Sequence, residues 1–571
     1  MLGTLGLDGL YCGRYFLTDA MVYETIRTAG HTFIGGVRAN YVPDTAHRSS
    51  IGLFGERRIK IPAGWVLATL LVGVLAALIY FPPALINEAP FYDDKAYINN
   101  ALISSGRIRT EDARGPYAEE RPPLFWWMLT GLLMLGTPND SVRWASPLAT
   151  TLGVVGICIL TARLFNDMKA GLLAAIFISV SDFFTLTTSY ILTDSMGSVL
   201  AMLAILSFAL GLRDGVFMWL AGPLTALSII ARDQNLLLVP VILLSMIWVS
   251  RLGMARKLLL LIVLAASIFP IIQLSQERAL TIVSNFITPV FTDQAYLYIL
   301  GAYLALSAMI VYRVAEQRNL ISRHVNISER IFDIGLALGI ALLVLHPFFM
   351  DNVRLGETFQ IAGSGVLSRP IAHAIMAREL GIGADLPFLE RVSIWVFQSL
   401  RLATLPLIIL SLVGTVLIFR REVRVGRPLI LWGLLSLGYV ILFTHLEYRF
   451  LAQAIPPLAI LAAYAVAQLW RTSKIFPAIL IPLTLIFLFL PSQPQLPLPS
   501  LTQPTTLQGW AALLSGNTGG GWLTDYLTYL RNTPPVGDAT INPLYPTIGV
   551  ATIPMLVISI YVGLRRILIA G

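Results

Sequence analysis

The chain has 571 residues, of which 56% are hydrophobic and 13% charged, and its formal net charge is +8. Soluble domains run at about 45–50% apolar and about 25% charged, so a soluble enzyme on a single anchor is excluded and a polytopic membrane protein is indicated. The positive balance does not point to nucleic acid, because no block of Lys and Arg interleaved with aromatics occurs and membrane topology accounts for the basic residues.

Residues 1–55 lack the basic start, short apolar core and small-residue cleavage site of a signal peptide. They are read as a cytoplasmic tail, either disordered or an overextended start. Apolar runs approaching the roughly 20 residues that a helix needs to cross a bilayer then recur near 62–83, 141–165, 170–190, 195–212, 216–231, 235–250, 257–273, 295–312, 331–348, 394–419, 428–444, 450–469, 473–490 and 549–564. The fold class expected is all-α, a bundle of about 12–14 transmembrane helices with helical external loops. Cys12 and Cys158 are the only cysteines, one in the polar tail and one inside an apolar run, so no disulfide is expected.

Sidedness follows from the basic short loops. With the N-terminus inside, "ERRIK" (56–60), "RLFNDMK" (163–169), Arg213, "RLGMARK" (251–257), "RVAEQRNLISRHVNISER" (313–330), "RREVRVGR" (420–427), "RTSK" (471–474) and Arg565 with Arg566 all fall on the cytoplasmic side. Arg232 and Arg449 are the chief exceptions. The count closes if "PPLFWWMLTGLLML" (122–135), short for a span and carrying Trp126 and Trp127, does not cross. Residues 84–140 then form one external loop whose helices lie on the membrane. Residues 349–393 read as a second external segment, a mobile lid, within a core domain of 56–490. The Pro-rich stretch opening 491–548 begins a third external segment, with an amphipathic helix in "LTDYLTYLRNTPPVGD" (523–538), and 549–571 is the last span with a cytoplasmic end.

This topology puts Asp93 and Asp94, in "EAPFYDDKAY", on the same external surface as Asp194, in "SYILTDSMGS", because two spans return the chain to that face. The plain alternative is that acids at span ends are solvated. Ionisable groups beside hydrocarbon are costly, however, and mark functional sites. Such carboxylates suit a general base for an attacking hydroxyl or oxygen ligands for a divalent ion, Mg or Mn; spacing does not choose between them. Arg121, in "AEERPPLFWW", stands where lipid phosphates lie, and guanidinium groups bond phosphate oxygens bidentately; the alternative is a snorkelling anchor. Glu447 and Arg449 share an external turn, either as a local pair or as a second substrate contact. Arg232 and Asp233 are expected to pair at a helix end, with a lipid-phosphate contact as the alternative for Arg232.

The order "YDDKAY", "RPPLFWW", "VRWASPL…LTARLF", "TSYILTDSM" and "YRFLAQAIPPLAILAAYA" resembles the polyprenol-phosphate-sugar-dependent glycosyltransferases of the GT-C superfamily, with protein O-mannosyltransferases and lipid A aminoarabinose transferases as the nearest branches. The resemblance covers 62–240 and 430–470. It implies a catalytic acid at Asp93, followed by Asp94, with Tyr97, four residues on from Asp93, as a substrate-binding residue. It also implies a second acid at Asp194 supporting the acceptor or a metal, a phosphate contact at Arg121, and a matching arginine at Arg143. The partners implied are a polyprenyl-phosphate-linked sugar, membrane lipid, and an acceptor that is a lipid, glycan or protein. The late motif departs from the family's Arg-Tyr-Leu-Leu-Pro, reading Arg449-Phe450-Leu451-Ala452-Gln453. Two rival classes remain. A secondary transporter would place its polar residues near the midplane in repeated halves, and a non-catalytic assembly subunit would be expected to lose the acids.

Overall fold

The computed structural model describes residues 63–88, 92–115, 122–213, 216–232 and parts of 235–245, then 403–420, 426–443, 448–489, 506–516, 521–532 and 543–570, with a few isolated neighbours. The tail 1–55, the expected spans 257–273, 295–312 and 331–348, and the lid 349–393 lie outside these residues. Every regular element among the described residues is helical, and the all-α polytopic class stands. The helices are α1 (Ala63–Leu85), α2 (Tyr92–Ser104), α3 (Leu124–Met134), α4 (Ser141–Phe165), α5 (Met168–Val180), α6 (Asp182–Ser189), α7 (Asp194–Gly211), α8 (Val216–Ala231), α9 (Leu405–Arg420), α10 (Arg427–Phe443), α11 (Ile455–Thr472), α12 (Ile475–Phe489), α13 (Thr506–Ser515), α14 (Trp522–Asn532) and α15 (Leu544–Ala570). A 3₁₀ turn, Tyr448–Ala454, leads into α11.

Among the described residues five segments are long and apolar enough to cross a bilayer: Gly64–Leu85, Ser141–Phe165, Asp194–Gly211, Leu451–Thr472 and Leu544–Arg565. A sixth crossing exists if α5 and α6 are counted together, and those two are bent by 63°. The single span expected at 170–190 is therefore broken. The cause is local: Ser181 is extended (φ −63, ψ 108), its hydroxyl accepts from Phe184 N, and it caps a new helix in a different direction.

Every residue of α7 is buried, which makes it the central post. Alanine and glycine let its neighbours approach, since no hydrophobic drive separates helix from lipid and close van der Waals packing must hold the helices together. At Gly153 of α4 a methyl group would stand 2.6 Å from Val199 of α7. The next turn of α4 places Gly156 against Leu203 in the same way.

The segment 122–135 forms α3, which packs inside the protein. α3 is an 11-residue helix, too short to cross, but Leu124 to Leu133 are all buried. The first turns of α15 cover it: Trp127 stacks on Tyr545 at 4.8 Å between centroids, and a methyl group on Gly131 would meet Pro546 and Val550. Trp126 and Trp127 thus belong to the buried core.

Two sets of chain ends separate along the bundle axis. α4 is 25 residues long, about 37 Å at 1.5 Å per residue. At its C-terminal end Arg213 Nη1 donates to Leu164 O (3.2 Å), and Arg471 Nη2 donates to Asp167 Oδ2 (2.9 Å). The basic segments 163–169, Arg213 and 471–474 therefore gather at one end of the bundle. The other end carries the acids.

Candidate active site

At the acidic end the chain leaves α1 through Leu85 and Asn87, and Arg143, in the first turn of α4, ties this exit down. Its Nη1 donates to Leu85 O (2.8 Å) and Asn87 O (2.7 Å). Its Nη2 donates to Glu88 Oε1 (3.1 Å) and Thr524 Oγ1 (2.9 Å). The side chain is 7% exposed. The last carbonyls of a helix have no partner within it, and Arg143 supplies one while neutralising Glu88. This fork is occupied by protein oxygens, so the structure places Arg143 as a strut rather than as an open phosphate clamp. Asn87 Nδ2 donates to Ser189 O (2.8 Å), joining the exit of α1 to the end of α6.

Asp94 is the third residue of α2 and fully buried. A helix N-terminus favours a carboxylate because its first N–H groups point outward unpaired. Asp93 precedes it on the same turn, and its side chain is outside the described set. Tyr97, expected to touch substrate, is buried with its ring edge-on to Phe125 of α3 at 5.7 Å. It packs α2 onto the core.

Asp194 opens α7. It is not solvated: its carboxylate is 3% exposed and forms an ion pair with Arg232 Nη1, itself 7% exposed, at the end of α8. This partner lies across a helical hairpin from Arg232; Asp233, the partner expected for it, lies outside the described residues. Asn235 Nδ2 braces the same junction, donating to Gly197 O (3.0 Å) and Ser228 O (2.9 Å). Next to Asp194, Ser195 Oγ accepts from Thr150 Oγ1 of α4 (3.3 Å). The polar layer continues from α7 into α4.

Arg121 and Glu447 lie outside the described residues. Arg449 falls in the 3₁₀ turn Tyr448–Ala454, which packs against α7, α10 and α11 and so brings the late motif to the same end as Asp194. Gln453, where the resembled family has proline, is buried, and its Nε2 meets no acceptor among the described residues. No three His, Cys, Asp or Glu among the described residues group to hold a metal ion, and Asp194 gives its carboxylate to a guanidinium.

Two participants were missed in the sequence. Glu88 stands in the quoted acidic stretch but was passed over beside the Asp pair. Thr524 carries no local signal at all, since its partner is 436 positions away. Arg232 had one signal: it is a positive charge left on the side that the positive-inside count otherwise clears.

A helical membrane protein with paired and buried acids gathered at one end of its spans is what the fold and site define. Residues 120–273 match the family model for dolichyl-phosphate-mannose-protein mannosyltransferase. The match is to part of the chain and supports the GT-C resemblance there; the matched stretch holds Arg121, Arg143, Asp194 and Arg232, and begins after Asp93 and Asp94. No curated protein matches the sequence. Among solved structures, the archaeal oligosaccharyltransferase AglB from Archaeoglobus fulgidus, in complex with an inhibitory peptide and a dolichol-phosphate, is 12% identical over 84% of this chain and 56% of its own, with a TM-score of 0.38. The oligosaccharyltransferase of the same organism tethered to an acceptor peptide is 13% identical over 86% of this chain and 55% of its own, with a TM-score of 0.40. ArnT from Cupriavidus metallidurans bound to undecaprenyl phosphate is 12% identical over 89% of this chain and 78% of its own, with a TM-score of 0.36. The chain spans little more than half the length of the two oligosaccharyltransferase chains.

Proposed function

We propose that this protein is a membrane glycosyltransferase that moves a sugar from a polyprenyl-phosphate-linked donor to a lipid, glycan or protein acceptor at the external face of the cell membrane, with inversion at the anomeric carbon. The observation that supports it is the hydrogen bond from Asn87 to Ser189. It ties the segment six residues before Asp93 to the segment five residues before Asp194, so the two acidic elements start from one junction at one end of the bundle. The match of residues 120–273 to a mannosyltransferase family adds the class of reaction.

A phosphate-linked sugar needs no acid to help its leaving group, because a phosphate held by cations departs as a stabilised anion. One base is enough. Asp93 takes the acceptor's proton as the acceptor attacks opposite the phosphate, by analogy with inverting glycoside chemistry. Arg121, with Arg449 from the late motif, holds the phosphate, and Glu447 serves as a further substrate contact. Asp194, held by Arg232, fixes the far wall against which the acceptor is oriented. Asp94 supports Asp93 from within α2. A donor with a long isoprenoid tail enters sideways from the bilayer, which is why such an enzyme is built from spans.

Purified Asp93→Asn and Arg121→Ala proteins, incubated with polyprenyl-phosphate mannose and assayed for release of polyprenyl phosphate, test the assignment. Both are expected to lose about 10² or more of the wild-type rate, and a parallel incubation with EDTA reads any need for a divalent ion. Wild-type rates in both variants would end the proposal.

A further inference from the structure

The external segment after residue 505 lies outside the stretch that matches the mannosyltransferase family, yet it is fastened in two places, to the end of α1 and to α2 with its approach. The first fastening is on α1. Pro82 and Pro83 lie inside this helix, and a proline has no N–H to offer the carbonyl four residues before it. The carbonyls so orphaned are those of Leu78 and Ile79. Trp510 Nε1 of α13 donates to Leu78 O (2.9 Å), and Thr506 Oγ1 donates to Ile79 O (3.3 Å). Gly509 lies flat on the proline pair, where a methyl group would stand 2.5 Å from Pro82 C. α13 thus completes the hydrogen bonding that the prolines remove, at the turn from which the chain departs toward Asp93.

The second fastening is on α2 and its approach. Thr524 N donates to Glu88 Oε2 (2.9 Å) and its hydroxyl to Glu88 Oε1, on the same carboxylate that Arg143 neutralises. A side chain on Gly521 would collide with Glu88. Trp522 lies under the Lys95 ammonium at 5.1 Å, one residue after Asp94. Tyr526 is fully buried, and its hydroxyl donates to Asn99 Oδ1 (3.1 Å). Burial pushes this phenol up to about 12, so it stays a donor throughout the physiological range. Beyond α14, Val536 N donates to Gly106 O (3.1 Å). The buried face of α14 is Leu523, Tyr526, Leu527 and Leu530, one helical stripe whose Tyr526 reaches Asn99 of α2.

We propose that Thr524 and Trp510 are positioning residues of the transfer reaction: α13 and α14 form a brace that sets the height and rotation of α2, and hence of Asp93, Thr524 acting through the Glu88–Arg143 pair and Trp510 through the proline-broken end of α1. The inference rests on the glycosyltransferase reading. A base displaced by about 1 Å loses on the order of 10²-fold in rate without losing its substrate.

The test compares Thr524→Val, Thr524→Ser and Trp510→Phe in the purified full chain. Thr524→Val is expected to lower kcat about tenfold or more with donor KM within about twofold, and Thr524→Ser to restore kcat. Amide hydrogen exchange across 92–104 should quicken in Thr524→Val, while exchange in α7 stays as in wild type. Trp510→Phe keeps an aromatic side chain and removes the donor, so it should repeat the kcat loss. Unchanged exchange in α2, or faster exchange with unchanged kcat, overturns the proposal. If Thr524→Val does not accumulate, Tyr526→Phe, which loses only the hydroxyl to Asn99, carries the same expectations. Asp93→Asn assayed alongside separates the two readings. Transfer by that variant at wild-type rate sinks the reaction, whereas an inactive Asp93→Asn beside a fully active Thr524→Val sinks only the brace.

Discussion

Arg232 gives its guanidinium to the carboxylate of Asp194 across 38 positions of chain, with both side chains nearly closed to solvent. The pair locks the end of α8 to the start of α7. Removing one member of a buried pair strands the other charge and costs about 3–5 kcal/mol, whereas replacing both with apolar groups of similar volume is often neutral. Arg232→Met is therefore expected to destabilise the detergent-solubilised protein by that amount, and Asp194→Leu with Arg232→Met to recover most of it. Sugar transfer should stay low in both. Denaturant or thermal unfolding reads the first part, and a single variant as stable as wild type would show that the pair is not buried.

Where the sequence was legible, apolar length was the reason. The runs read at 141–165 and 216–231 end where α4 and α8 end, because charged or turn-forming residues bound them and the bilayer fixes how long they must be. The return of Asp194 to the side of Asp93 was legible by counting crossings. Contacts between distant elements were not. Periodicity tells which face of α3 is apolar but not that α15, more than 400 positions later, covers it. For Arg232 the adjacent Asp233 was the nearest acid in sequence, while the hairpin of α7 and α8 brings Asp194 to it from 38 positions away. The break at Ser181 carries neither Gly nor Pro; a side-chain cap makes it. Glu88 and Thr524 each look like ordinary loop polar residues until the fold joins them.

The crossing of α3 and α15 depends on two glycines facing opposite ways. Gly549 of α15 lies against the backbone at Trp127 and Met128, while Gly131 of α3 lies against Pro546. Backbone cannot retreat as a flexible side chain can. Gly549→Val is expected to cost about 1–3 kcal/mol or more by overpacking and to release Trp127 from its stack on Tyr545. A red shift of tryptophan emission with a lowered unfolding midpoint is the expected result; an unaltered midpoint would mean that the two helices do not approach as closely as described.

Sidedness is decided by chemistry at the two ends of the bundle. Lys474 is exposed beside the Arg471–Asp167 pair, and Thr528 is exposed on α14 at the acidic end. The positive-inside count puts the first end in the cytoplasm. In a chain with Cys12 and Cys158 replaced by serine, Thr528→Cys should react with a membrane-impermeant maleimide added to intact cells, and Lys474→Cys only after permeabilisation. The opposite pattern would place the acids at the cytoplasmic face, where a donor displayed on the external leaflet could not reach Asp93. Labelling of both positions from outside would mean that the two ends do not lie across a bilayer, and the spanning assignment of α4, α7 and α11 would fall with it.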